Sequence, residues 1–296
     1  MARFLFLLVD GLNNGAVLGL VTFGFALALA VTDIFHFAHG AVFVWAMYAV
    51  YFFHATAGLP YVVAVLLAAV VAAALAVLIS EGVYAPIRKR SRQTLPVVAA
   101  AFGALIVLEN LALLVWGPDL HIVGNWGARP YAVIFGVRFL PSEVYPFVIS
   151  AATLALCFGF LKLTRTGRGL RATGSNPMRA EFLGISRTRS GIVAFALGGA
   201  ALAPAALMTG LTSGVIPTGG EDLVLVAGVA TIAAGIGRVW TAVAIAVAVG
   251  VIEDVSTIWI SNVWETSVTF CLLVAVVIFQ RPQWFARTSA TALQGG

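Results

Sequence analysis

The residues of this chain that could do chemistry stand where long apolar stretches are interrupted. Asp33-Ile34-Phe35-His36-Phe37-Ala38-His39-Gly40 parts two apolar runs and carries two histidines three positions apart. Residues at that spacing share one face of a helix. Polar groups at membrane depth are costly and face a bundle interior or a pathway. The segment therefore reads either as an irregular stretch lining a path or as a hydrogen-bonded turn joining two helices. A metal site would need a third ligand, and no candidate stands at a ligand spacing. Other polar groups inside or beside apolar runs are Asn13-Asn14, Glu109-Asn110 and Glu253-Asp254. In a proton-driven carrier such acids would be relay groups; placed at an interface or paired with Arg or His they would be structural. Asn14, His36, Phe37, His39 and Glu109 are the candidates for a solute path.

A second feature lies between Arg165 and Ile185, where arginines alternate with glycine and small residues. Asn176 suits a helix N-cap, Pro177 the first helical position, and Gly184 the C-terminal stop. The helix so bounded has about two turns, too few to be stable unaided. It carries Met178, Phe182 and Leu183 among charges. A short helix with an apolar face suits docking into a groove on another protein; a charged loop that only fixes topology is the plainer reading.

Much chemistry is absent. The chain has two lysines, Lys89 and Lys162, and neither follows glycine, so there is no phosphate-binding G-x-x-x-x-G-K-[ST] loop. It also lacks an H-E-x-x-H metal pair, a G-x-S-x-G elbow and a haem-attachment pattern. No residue is expected to be catalytic and no metal is expected. Transport is a better class than membrane-embedded catalysis.

The elements that must hold these residues follow from composition. Of 296 residues, 61% are hydrophobic and 10% charged, against roughly 25% charged in a soluble domain. Such a chain cannot cover a water-exposed surface, so it is an all-α polytopic membrane protein. Apolar stretches fall at about 4–31, 35–53, 61–80, 94–116, 144–162, 191–213, 223–236, 240–260 and 265–280. They predict about nine crossings, within a range of eight to ten, at about 20 residues each. The first stretch follows Met1-Ala2-Arg3 with no small-residue cleavage site after it and reads as a retained helix. The weak points are 4–31, open to a break at Asn13-Asn14, and the short run 223–236. Interrupted spans of this kind mark discontinuous helices around a pathway.

Positive charge gathers at 88–92, from Lys162 to Arg189, and at Arg281 and Arg287, so these regions are expected to be cytoplasmic. Parity then puts the N-terminus and the loop 117–143 outside and the C-terminus inside. Residues 1–285 form one membrane domain, with a cytoplasmic loop at 163–189 and a cytoplasmic tail at 286–296. Net charge of +5 suits this asymmetry, and no aromatic-studded basic face suggests nucleic acid. Cys157 and Cys271 lie in apolar runs and read as packing. The GxxxG at Gly15–Gly19 and the small residues from Gly198 to Ala203 favour close helix approach.

Several motifs together resemble one family. His36-Phe37-Ala38-His39-Gly40 is similar to the N-F-A-H-G motif of LivH-type permeases, the membrane subunits of branched-chain amino acid ABC importers. Glu81-Gly82-Val83-Tyr84-Ala85-Pro86-Ile87-Arg88 is similar to the family's E-R-x-x-Y-R-P-x-R loop, and Phe102-Gly103 through Leu108-Glu109-Asn110 to its fourth helix. Gly167-Arg168-Gly169-Leu170-Arg171-Ala172, Asn176 and Leu183-Gly184-Ile185 resemble its coupling loop, and Ala234-Gly235-Ile236-Gly237 its L-G-G-x-G. The set covers most of the chain in order. It departs at His36 for asparagine, Ala85 for arginine, and Arg238 for a small residue.

The resemblance implies a type II ABC importer-like permease bundle with some broken helices, in a bacterial plasma (inner) membrane. It implies a second, distinct LivM-like permease, two ATP-binding cassette subunits and an extracytoplasmic solute-binding protein as partners. The chain itself would need no cofactor, since ATP and Mg belong to the partner subunits. Arg168, Arg171, Asn176, Met178, Glu181, Phe182 and Gly184 become the residues expected to couple to the ATPase. The solute would be a branched-chain amino acid or a related urea, amide or aromatic acid. A proton-coupled carrier or a facilitator is the alternative from a different mechanistic class.

Overall fold

The computed structural model describes residues 2–91, 93–124, 132–134, 137–139 and 141–259, with Ser267, Cys271, Val274 and Ala275 beyond them. Eleven α-helices occur among these residues. They are α1 (Ala2–Thr32), α2 (His39–Tyr51), α3 (Tyr61–Ile79), α4 (Ala85–Arg90), α5 (Leu95–Trp116), α6 (Pro141–Leu163), α7 (Arg165–Ser175), α8 (Pro177–Phe182), α9 (Arg187–Thr212), α10 (Glu221–Ala234) and α11 (Val239–Ser256). Two antiparallel strands, β1 (Ala132–Ile134) and β2 (Val137–Phe139), form a hairpin in the loop before α6.

Helix α3 carries the signature of packing in lipid. Ala64, Ala68, Ala72 and Ala76, four apart, are fully buried, whereas the larger Val62, Leu66 and Val70 are exposed. Lipid gives large apolar side chains no reason to turn inward, so small residues take the helix contacts. That brings α9 so close that a Cβ on Gly199 would meet the Ala72 carbonyl at 2.6 Å. Helix α1 is sunk into the middle of the bundle. Its Gly11, Gly15 and Gly19 lie against Val251, Val247 and Val243 of antiparallel α11, which is the role expected of the GxxxG.

Among the described residues, five spans are long and apolar enough to cross a membrane: Phe6–Thr32, Tyr61–Arg90, Leu95–Trp116, Arg187–Thr212 and Val239–Ser256. The pair α6 and α7, bent by 83° at its break, adds a sixth. The run at 35–53 is α2, with 13 residues and a π-helical turn at Phe52–Thr56. The run at 223–236 is α10, whose 14 residues reach roughly 21 Å, short of a hydrocarbon core of about 30 Å. The run at 265–280 lies largely outside the described residues.

Helix α1 is not broken at Asn13-Asn14, contrary to expectation; it runs unbroken through both. The reason is long-range, because the Asn14 Nδ2 donates to Asp254 Oδ2 on α11 at 2.8 Å.

The real discontinuity follows α1. The chain turns at Asp33, which has φ 57°, and then runs without helix to Phe37 before α2 begins at His39. His39 Nε2 donates to the carbonyl of Val21 at 3.1 Å. Val21 lies eleven residues before the end of α1, or roughly 16 Å along the axis. Residues 33–38 thus climb back into the bundle, and α2 starts deep inside it. Helix α10 starts there too. Gly220, just before α10, touches Gly40 so closely that a Cβ on Gly40 would meet its carbonyl at 2.6 Å. Two short helices therefore begin against each other inside the bundle, the arrangement of broken helices around a buried site.

The two ends of the bundle differ in charge. At one end Arg88 donates to the Thr32 carbonyl at 2.9 Å, Arg187 pairs with Asp33, and Gly237 lies beside Gly174. At the other, His121 and Val215 form a two-way backbone bridge, and Trp116 stacks on Tyr48 with centroids 4.3 Å apart. Both described clusters of positive charge, at 88–90 and 162–189, are at the first end.

Candidate functional site

His36 and His39 come together, but not on one helix face as the spacing suggested. His36 lies in the non-helical climb and only His39 is in α2; a turn, with the His39 amide bonded to the His36 carbonyl at 2.9 Å, brings the rings within 5.4 Å. Both are buried. His36 Nδ1 shares a 2.8 Å hydrogen bond with the Tyr84 hydroxyl. Tyr84, itself fully buried, closes the π-helical turn Ser80–Tyr84. A π turn adds a residue to the helix and re-aims its side chains, here towards His36. Phe195 and His36 pack edge to face with ring centroids 4.9 Å apart, and His36 Nε2 is buried without a partner among the described residues. Such an orphaned polar atom costs about 1–3 kcal/mol.

The climb is anchored at its lower end by charge. Arg187, the first residue of α9, reaches Asp33 with Nη2 to Oδ2 at 2.9 Å. An ion pair as exposed as this contributes about 0–1 kcal/mol, so its consequence is connection more than stability. It ties the loop 163–189 to the residue where the chain leaves α1.

Phe37 faces α5, stacked on Phe102 at 4.2 Å with Phe35 behind it at 6.3 Å. Higher on the same helix pair, the Trp45 indole donates to the Leu108 carbonyl at 3.0 Å. The next residue, Glu109, is buried, with its Oε1 unpartnered among the described residues and Glu221, in the first turn of α10, close by. Phe37, stacked on Phe102, and Glu109 thus lie along α5. Asn14 does not join them; it faces α11. Among the described residues no three His, Cys, Asp or Glu side chains gather as metal ligands.

The second set lies at the basic end. Asn176 Oδ1 accepts from the Arg179 amide at 2.9 Å and caps α8. The helix stops at Gly184, with φ 79°, where Gly184 N bonds the Glu181 carbonyl and Ile185 N the Ala180 carbonyl. That doubly bonded stop needs a left-handed residue, which glycine supplies. The result points Met178, Phe182 and Leu183 outward, at 70%, 85% and 78% exposure. Arg168 and Glu181 are exposed as well. Arg171 is exposed and, with Arg238, lines a cleft between α7 and the start of α11.

A family model described as "Branched-chain amino acid transport system / permease component" matches residues 7–277. The chain belongs to that family. It is 29% identical over 300 residues to the high-affinity branched-chain amino acid transport system permease protein LivH of Salmonella typhimurium, covering 93% of each chain. It is 27% identical over 288 residues to BraD of Pseudomonas aeruginosa, of the same description, covering 92% of each, and 26% identical over 290 residues to LivH of Escherichia coli K12, covering 93% of each. Its fold is similar to the solved PsaBC from Streptococcus pneumoniae in complex with Fab. The TM-score is 0.50 at 14% identity, over 92% of this chain and 91% of that one. The helical polytopic permease bundle expected from the sequence is what the chain forms.

Within this permease component, several residues that build the site had no mark in the sequence as site residues. Glu221 could have been noticed as an acid opening a short apolar run. Tyr84 stood inside a recognised motif, yet only the π turn aims it at His36. Arg187 acts on a partner 154 positions away, and spacing carries no signal for it; Asp254, noted among the polar groups beside apolar runs, meets Asn14 across 240 positions and outside this site. Helix α7 was also missed. Its Thr164 cap accepts from the Gly167 amide at 2.9 Å, and its Gly167, Leu170 and Thr173 face inward, but glycines at 167 and 169 read as loop.

Proposed function

We propose that this chain forms half of the translocation pathway of an ATP-driven ABC importer, for a branched-chain amino acid or a related small solute. It sits in a bacterial plasma membrane, N-terminus outside and C-terminus inside, with a second permease, two ATP-binding subunits and an extracytoplasmic binding protein. The observation that carries this reading is α8. Its cap, its stop and its outward Met178, Phe182 and Leu183 make a short helix with an unburied apolar face at the basic end. A groove on an ATP-binding subunit is the partner that such a helix fits. The names of the relatives support the solute class.

The mechanism follows from what is connected. Nucleotide binding and hydrolysis on the partners press on α8. The Arg187–Asp33 pair passes the movement to the base of residues 33–38, and so to the start of α2. A two-state shift of α2 and α10 against each other then opens a path along Phe37, Phe102 and Glu109. No group in this chain is asked to do covalent chemistry. The buried Glu109 beside Glu221 favours a second reading, a proton-coupled carrier.

Affinity purification of the tagged protein from its native membrane in mild detergent separates the two. Recovery with ATP-binding subunits, a second permease and ATPase activity is expected. Recovery of the chain alone, without ATPase activity, would favour the carrier.

A further inference from the structure

A cleft of about 410 Å³ opens at the basic end, between α1, α6, α7 and α11 and away from the outward face of α8. Its floor is apolar, made by Leu27, Leu161, Leu170 and Trp240, and its rim carries Arg171 and Arg238. No carboxylate is among its lining residues. Both arginines are exposed, and neither has an ion-pair partner among the described residues.

Two further features point to an anion. Arg238 is also the cap residue of the 18-residue α11, and no side chain caps that helix. The first-turn residues Val239, Trp240 and Thr241 line the cleft, so the positive end of the helix dipole adds to the arginines. A third cation stands close by: Lys162 Nζ lies 5.4 Å over the Phe158 ring, and Phe158 packs edge-on against Trp240 at 5.0 Å. Trp with Lys or Arg at a helix end is the composition of a membrane interface.

The apolar floor decides which anion. A free phosphate would use the rim and leave Leu27, Leu161 and Leu170 uncovered. A phospholipid uses both, since its phosphate meets the arginines while its glycerol and upper acyl chain cover the floor. Basic pockets between membrane helices suit such headgroups. We propose that this cleft binds the phosphate of an anionic phospholipid from the leaflet at the basic end of the bundle. Headgroup binding depends neither on transport nor on the ATPase partners, so it can fail while the importer reading stands, and the reverse.

The test is native mass spectrometry of the full-length protein, released from mild detergent and titrated with phosphatidylglycerol, phosphatidylcholine and inorganic phosphate. One phosphatidylglycerol is expected to be retained in preference to phosphatidylcholine, and millimolar phosphate is expected not to displace it. Arg238→Glu is expected to weaken retention by about fivefold or more, and Arg238→Lys to keep it. Should the glutamate variant fail to fold, Arg238→Ala is read in the same titration. Equal retention of the two lipids, retention unchanged in the Arg238→Glu or Arg238→Ala variant, or displacement by phosphate alone would each overturn the proposal.

Discussion

Arg187 Nη2 lies 2.9 Å from Asp33 Oδ2, across 154 positions of sequence. The contact joins the first residue of α9, just beyond α8, to the residue where the chain leaves α1 and climbs back into the bundle. Asp33 is also the one non-glycine among the described residues with positive φ. Such a conformation persists where surrounding contacts hold it.

Breaking this pair should damage transmission more than folding. Asp33→Ala or Arg187→Ala is expected to cut ATP-driven uptake about tenfold; Arg187→Ala should change unfolding free energy by no more than about 1 kcal/mol, as for an exposed ion pair, and Asp33→Ala by about 1–2 kcal/mol more, because alanine tolerates the positive φ at 33 less well than aspartate. The charge-swapped double variant should recover part of the uptake. Full uptake in both single variants, measured in proteoliposomes, would remove the pair from the mechanism.

Phe182 tests the docking face. Phe182→Asp puts a charge where an apolar contact is proposed, on a side chain that is 85% exposed in this chain. The bundle should stay folded, and the ATP-binding subunits should dissociate or lose stimulated hydrolysis on pull-down and ATPase assay. Unchanged association and hydrolysis would assign that face to something else.

The meeting of α2 and α10 leaves no room for a side chain. Gly40→Ala and Gly220→Ala each force backbone against backbone, and overpacking of this kind costs about 1–3 kcal/mol. Thermal unfolding should report it, with a smaller or absent effect for Gly82→Ala, where a Cβ would meet nothing.

Tyr84→Phe removes the hydroxyl that His36 Nδ1 bonds at 2.8 Å. Both ring nitrogens of a buried imidazole would then lack partners. Destabilisation of about 1–3 kcal/mol is expected, measurable by chemical unfolding. No change in stability would mean that water or another group already serves His36.

How much of this could be read beforehand depended on whether the cause was local. The ends of α8 were legible because Asn176, Pro177 and Gly184 act on neighbours within one turn. The runs at 61–80, 94–116 and 191–213 became α3, α5 and α9 because continuous apolar sequence suffices for a helix in lipid. The integrity of α1 was not legible, since Asn14 is satisfied by a residue on α11. Nor was the climb after Thr32. Asp33–Gly40 announced an interruption, but its path is set by Val21, Tyr84 and Gly220, each from another element. The path residues divided in the same way. Phe37 and Glu109 lie along α5, while Asn14 belongs to a helix contact that only the tertiary structure creates.

The central claim is that ATP hydrolysed by partner subunits drives solute through this chain. The direct measurement is uptake of a labelled branched-chain amino acid into proteoliposomes that hold the purified assembly, with its binding protein outside and ATP either trapped inside or omitted. Uptake that requires internal ATP, and persists when a protonophore collapses the proton gradient, is the expected result. Uptake that ignores ATP and stops with the protonophore would contradict the account and turn attention to Glu109 and Glu221 as a proton relay.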